Sequence, residues 1–94
     1  MVGADIAARV PEQLPGWHVE GEEIVAAWRF ADFAAALAAT VRVGALAERA
    51  DHHPDLTLSW GRLAVRLTTH SAGRLTEKDL DLALAIQEAL GPPA

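Results

Sequence analysis

Glu48-Arg49-Ala50-Asp51-His52-His53-Pro54-Asp55, then residues 56–60, Gly61-Arg62 and residues 63–70, form the stretch on which the fold turns. A helix must stop inside it, because Pro54 has no amide hydrogen and holds the preceding residue in extended geometry. Past the proline, Leu63-Ala64-Val65-Arg66-Leu67-Thr68-Thr69 alternates, with leucines and valine on one face and Arg66, Thr68 and His70 on the other. Gly61-Arg62 reads as a two-residue turn with glycine first, which folds residues 56–60 back on the run ending at His70. The hairpin therefore brings His52 and His53 near His70, three of the chain's four histidines.

Upstream of this stretch, residues 32–50 read as a helix. Phe33, Leu37, Val41 and Ala45 repeat every four residues, and Ala36, Val43 and Ala47 widen the apolar stripe. Asp32 suits the positive end of such a helix, and its many small residues permit close approach to a sheet or to another subunit. Arg42 and Arg49 lie toward the polar side. Before it, residues 17–20 and 24–30 form a hairpin through Gly21-Glu22, with Ile24, Ala26, Trp28 and Phe30 on one face. His18 alternates away from Trp17 and Val19 and reads as a solvated strand residue. A first helix over residues 5–14, with Ile6, Val10 and Leu14 inward, is stopped by Pro15-Gly16.

Downstream, residues 71–74 are a loop and Thr76 opens a final helix. Thr76 and Asp79 have the spacing of a capping box; Leu80, Ala83, Leu84 and Ile86 supply the buried side, and Gly91-Pro92-Pro93 ends the helix. The order is α-β-β-α-β-β-α. It predicts an α+β fold, one domain over residues 1–94, with a four-stranded antiparallel sheet covered on one face by helices. Strand order is left open.

Composition narrows the function. Ninety-four residues, 51% of them hydrophobic, suffice for a core, though a chain of this size buries only about 60–68% of its unfolded surface. Few aromatic residues and many alanines leave small individual contacts, which favours added burial between subunits. The absence of cysteine excludes disulfides and thiolate chemistry. Neither a signal peptide nor an apolar run of about 18 residues is visible, so a cytoplasmic location with no membrane contact is expected. A net charge of −5 argues against direct nucleic-acid binding through a dispersed positive surface, although Arg29, Arg42, Arg49, Arg62, Arg66 and Arg74 leave room for a local patch. Gly61 and Gly73 are isolated, so no phosphate-binding glycine loop is present.

The histidine cluster is the candidate site. Imidazole, with an ordinary pKa of about 6.5, serves as acid or base near neutrality. Carboxylates at Glu48, Asp51 and Asp55 lie beside it in sequence, and Asp51 is the one expected to orient an imidazole and raise its proton affinity.

Asp51-His52-His53-Pro54, Trp60, Leu67-Thr68-Thr69-His70 and Leu75-Thr76-Glu77-Lys78-Asp79 occur here together, preceded by Trp28-Arg29-Phe30-Ala31-Asp32-Phe33. In this set the chain resembles the pterin-4a-carbinolamine dehydratases, a small family whose vertebrate members also serve as dimerisation cofactors of a homeodomain transcription factor. The similarity runs from about residue 16 to residue 90. It implies the same α-β-β-α-β-β-α architecture, assembly into a homodimer or homotetramer, and 4a-hydroxy-tetrahydropterin as substrate, dehydrated to quinonoid dihydropterin with no cofactor and no metal. It also implies His52, His53 and His70 as catalytic residues, with Glu48, Asp51, Leu56, Lys78 and Asp79 around the substrate. The resemblance assigns His53 the proton donor's role at the departing hydroxyl and His52 or His70 that of base or orienting group, roles that are interchangeable at this stage. Leu56 replaces the family's common pocket-walling Trp, Trp60 stands where Tyr is common, and Ser71 and Arg74 replace an acidic residue and a glycine. These departures imply altered affinity or substrate preference. The competing readings are a non-catalytic assembly or dimerisation module on the same fold, a zinc site built from His52 or His53, His70 and a carboxylate, and dehydration of a different cyclic carbinolamine.

Overall fold

Two runs of strictly alternating burial build the sheet. The structure, a computed structural model, describes residues 2–94 in backbone and 5–94 in side chain. Strands β1 (His18–Glu20), β2 (Glu23–Arg29), β3 (Asp55–Ser59) and β4 (Arg62–Leu67) pair antiparallel in the order β1-β2-β4-β3. Ile24, Ala26 and Trp28 on β2 stand opposite Leu67, Val65 and Leu63 on β4, and all six are buried. Side chains on a strand alternate between faces, so this register gives the sheet one apolar face, and helices α1 (Val2–Gln13), α2 (Phe33–Ala50) and α3 (Glu77–Leu90) cover it. Ile6 and Val10, Val43 and Ala47, and Leu80, Ala83 and Ile86 are their buried contributions. The predicted element order, sheet and one-sided helical cover are those observed; the two central strands come from different hairpins.

The tail closes part of a sheet edge. Strand β1 pairs with β2 only as far as Val25; beyond it Ala94 N donates to Ala27 O, and Trp28 Nε1 donates to Gly91 O. Trp28 meets Trp17 edge to face, with centroids 5.6 Å apart and planes at 78°.

Four details differ from the sequence reading. The β3–β4 turn is Trp60-Gly61, since Ser59 pairs with Arg62. Glycine is needed at 61 because a Cβ there would lie 2.9 Å from the carbonyl oxygen of Phe30, whose amide donates to Gly61 O. On α2 the inward face is Ala36, Ala39, Val43 and Ala47, while Phe33, Leu37 and Val41 are 46%, 44% and 65% exposed. The helix is apolar on two faces, and the sheet takes the one with the smaller residues because these admit the closer approach. On α3, Leu82 is buried and Leu84 is exposed. The first helix also extends beyond its predicted bounds, to Val2, with Pro11 inside it.

Gly61→Ala should lower stability by about 1–3 kcal/mol, the usual cost of forcing a group into filled space. Gly44→Ala, in a helix interior with nothing within 4 Å of the added carbon, should raise it by about 0.5–1 kcal/mol. Denaturant unfolding of the two variants beside wild type measures both signs.

Candidate active site

The end of α2 aims the histidine pair. Asp51 adopts the left-handed conformation, φ 51°, tolerated by Asp better than by most residues. Its amide returns to Glu48 O and that of His52 to Ala47 O, the paired closure of a Schellman motif. After this reversal Pro54 commits the chain to β3, and the two adjacent rings diverge. His52 Nε2 lies 2.6 Å from Asp79 Oδ1, whereas His53 Nε2 lies 2.7 Å from Glu48 Oε1.

The two pairs sit in different surroundings. The His53–Glu48 pair is exposed on both sides, and such pairs contribute little to stability. The His52–Asp79 pair is inside: the side chain of His52 is 10% exposed and that of Asp79 is fully buried. Asp79 closes a capping box with Thr76 at the start of α3. Its Oδ2 accepts from Thr76 N at 2.9 Å and from Thr69 Oγ1 at 2.8 Å, so a buried carboxylate meets three donors. The capping role expected of Asp79 is present, and the same carboxylate orients His52. The orienting function expected of Asp51 therefore falls to Asp79; Asp51 acts through its backbone, as the helix stop.

A cleft of about 250 Å³ opens beside this arrangement. His52, His53 and His70 all line it, together with Asp51, Lys78, Ser71 and the threonines at 68 and 69. His70 arrives by strand alternation: Thr69 turns inward, 5% exposed, in a bridge with Arg74, and His70 turns out. Glu48, Leu56 and the fully buried Asp79 are not in the wall. Leu56 is half-buried and packs against the core. The sequence motif by itself assigns Thr69 no role; it shares the inward parity of Leu63, Val65 and Leu67, and a buried hydroxyl requires a partner.

His18 lies apart, on the open face of the sheet, as its alternation predicted. Of the six arginines considered for a basic patch, Arg42 donates to Ala89 O at the end of α3 and Arg66 bonds Glu20 and Glu23, whereas Arg29 and Arg62 stand opposite one another on the sheet. The carboxylates of Glu23, then Glu20, push the Arg66 pKa up through hydrogen bonds. Among the described residues no three His, Asp or Glu side chains gather in a metal-binding arrangement, and no helix is long and apolar enough to cross a membrane.

The sequence pattern of the family described as Pterin 4 alpha carbinolamine dehydratase matches residues 2–89. The chain belongs to this family. Relatives bearing the family's name include a protein of Chloroflexus aurantiacus, 49% identical over 87 residues that cover 89% of this chain and 94% of the relative. One of Thermosynechococcus vestitus is 46% identical over 83 residues, 88% of this chain and 86% of the relative. Among solved structures, the transcriptional coactivator/pterin dehydratase of Brucella melitensis superposes with a TM-score of 0.80 at 33% identity, over 94% of this chain and 93% of that one. A pterin dehydratase-like RuBisCO assembly factor of the alpha-carboxysome has a TM-score of 0.69 at 18% identity, covering 86% of this chain and 96% of that one; it shares the fold. The fold inferred from the resemblance is the fold observed.

Asp79→Ala should destabilise the protein by about 1–3 kcal/mol or more, because it leaves buried donors without an acceptor. Glu48→Ala, which opens an exposed pair, should change stability by less than about 1 kcal/mol. Thermal and denaturant melts of both variants separate the two carboxylates.

Proposed function

We propose that this protein dehydrates a 4a-hydroxy-tetrahydropterin to quinonoid dihydropterin and water, with His52, His53 and His70 as its catalytic residues. The observation that carries this reading is the pairing of His52 with a buried carboxylate at the wall of a cleft that two further imidazoles share, in a chain of the dehydratase family.

The reaction breaks the C4a–O bond and makes a C4a=N5 double bond. One proton goes to the departing hydroxyl, which leaves as water, and one is taken from N5. His52 suits the base: Asp79 holds its Nε2 and stabilises the imidazolium formed when the other ring nitrogen accepts a proton. His53 suits the acid, for its Nε2 rests on Glu48 and its ring borders the cleft. His70 and Lys78 orient the substrate at the open side, with Asp51 at the rim. Each proton transfer contributes about 10²- to 10⁴-fold, and neither requires a metal or cofactor. Glu48 acts through His53, and Leu56 acts from behind the wall by packing.

The proposed working form is a cytoplasmic homodimer or homotetramer that makes no direct contact with nucleic acid. Phe33, Leu37 and Val41 support the assembly: spaced by four residues, they form an exposed apolar line along α2, the kind of surface that subunit contact covers.

The deciding experiment is the initial dehydration rate of enzymatically generated 4a-hydroxy-tetrahydropterin, corrected for spontaneous dehydration, with and without chelator. His52→Ala and His53→Ala should each lose about 10²- to 10⁴-fold, while His18→Ala keeps wild-type turnover and chelation has no effect. Wild-type turnover in both His52→Ala and His53→Ala would refute the site, and a wild type that does not exceed background would leave the assembly module as the reading. Light scattering at micromolar concentration should give a particle of at least twice 10.0 kDa, and Val41→Glu should shift it toward the monomer. A monomeric wild type refutes the assembly.

A further inference from the structure

We propose that Thr69 is a positioning residue that sets the tautomer of His52 through Asp79; the inference rests on His52 being catalytic, as read above. The geometry fixes the direction of every proton in the chain of contacts. Asp79, as a carboxylate, presents acceptors only, so the hydroxyl proton of Thr69 points at Oδ2, 2.8 Å away. A hydroxyl has one proton to give. At the 2.7 Å contact between Thr69 Oγ1 and Thr76 Oγ1, Thr76 is therefore the donor, and Thr76 Oγ1 in turn accepts from Lys78 N. The order is Thr76 to Thr69 to Asp79.

With Oδ2 occupied by Thr69 and by Thr76 N, Oδ1 is left to His52 Nε2 at 2.6 Å. Only a protonated Nε2 satisfies that contact. Neutral His52 is thereby the Nε2–H tautomer, and its lone pair lies on Nδ1, the nitrogen that a base has to turn to the substrate. No buried side-chain nitrogen or oxygen among the described residues lacks a partner, and Nδ1 makes no hydrogen bond within the chain, so it is open to the cleft that His52 lines.

Thr69 is suited to hold this arrangement because its own backbone is clamped. Its amide donates to Arg74 O, and its carbonyl accepts from Ala72 N and Gly73 N. It is 5% exposed, so water does not readily take the hydroxyl's place. One dipeptide then does two tasks: Thr69 points inward to lock the carboxylate, and His70 points outward into the cleft.

The test compares Thr69→Val, which keeps the shape and removes the hydroxyl, with Thr69→Ser, which keeps the hydroxyl. Long-range ¹H–¹⁵N spectra of the ligand-free protein, taken with imidazoles neutral, report the His52 tautomer, and steady-state dehydration reports kcat and KM. Wild type and Thr69→Ser should show His52 as the Nε2–H form. Thr69→Val frees the Asp79 carboxylate to turn away from His52, so it should show mixed tautomers and a kcat lowered about 10-fold, the factor that one hydrogen bond to a charged group is worth, with KM little changed. An Nδ1–H tautomer in wild type overturns the proposal even if Thr69→Val fails to fold. So does Thr69→Val with the wild-type tautomer, or an equal loss of kcat in both variants, which would make the packing and not the hydroxyl responsible. If the tautomer responds to Thr69→Val while kcat does not, the control of the tautomer stands and the catalytic reading of His52 fails.

Discussion

A carboxylate without solvent exposure is costly unless its oxygens are met by donors, and Asp79 meets that requirement by joining three parts of the chain. Thr76 contributes the start of α3, Thr69 the end of the second hairpin, and His52 the turn after α2. Removing any donor leaves a buried acceptor short, so the relative placement of these segments is held by one side chain. This is why the site is both rigid and dependent on the fold: the group that orients the imidazole also caps a helix and anchors a loop. Polar networks of this kind specify one arrangement because partial satisfaction is worse than none.

The sheet supplies the frame for that contact. Pairing β2 with β4 puts the two hairpins side by side through their inner strands, while pairing β3 with β4 leaves the His52–His53 turn and the Thr69–His70 turn at the same end of the sheet. The small inward residues of α2 let the helix lie close to β3 and β4, which draws its C-terminal reversal over the cleft. Its larger residues, Phe33, Leu37 and Val41, are left facing outward. A helix with apolar residues on both sides keeps one of them uncovered once its own sheet is packed.

The sequence was legible where a residue has a local physical meaning. Pro54 ends a helix wherever it stands, alternation along residues 63–69 names a buried face, and Thr76 followed by Asp79 reads as a helix start. It was less legible where two local signals compete. On α2 the four-residue recurrence of Phe33, Leu37 and Val41 is the stronger hydrophobic signal, yet alanines face the sheet because the space there is narrow. Gly61 similarly reads as a residue chosen for the turn's own geometry, while its actual constraint is the carbonyl of Phe30, distant in sequence.

What the sequence by itself determined is the succession of elements, the one-sided apolar sheet, the gathering of three histidines on one hairpin and, through its motifs, the family. Those follow from periodicity, from proline and glycine, and from short-range spacing. Which carboxylate serves His52 was decided only by tertiary structure. Asp51 is its neighbour in the chain, but it closes the helix through its backbone and its side chain makes no hydrogen bond to His52, whereas Asp79, 27 residues further along the sequence, is brought to within 2.6 Å by the packing of α3 against the hairpin. Adjacency in sequence sets direction over one or two residues; proximity between side chains is set by the core that the rest of the chain builds.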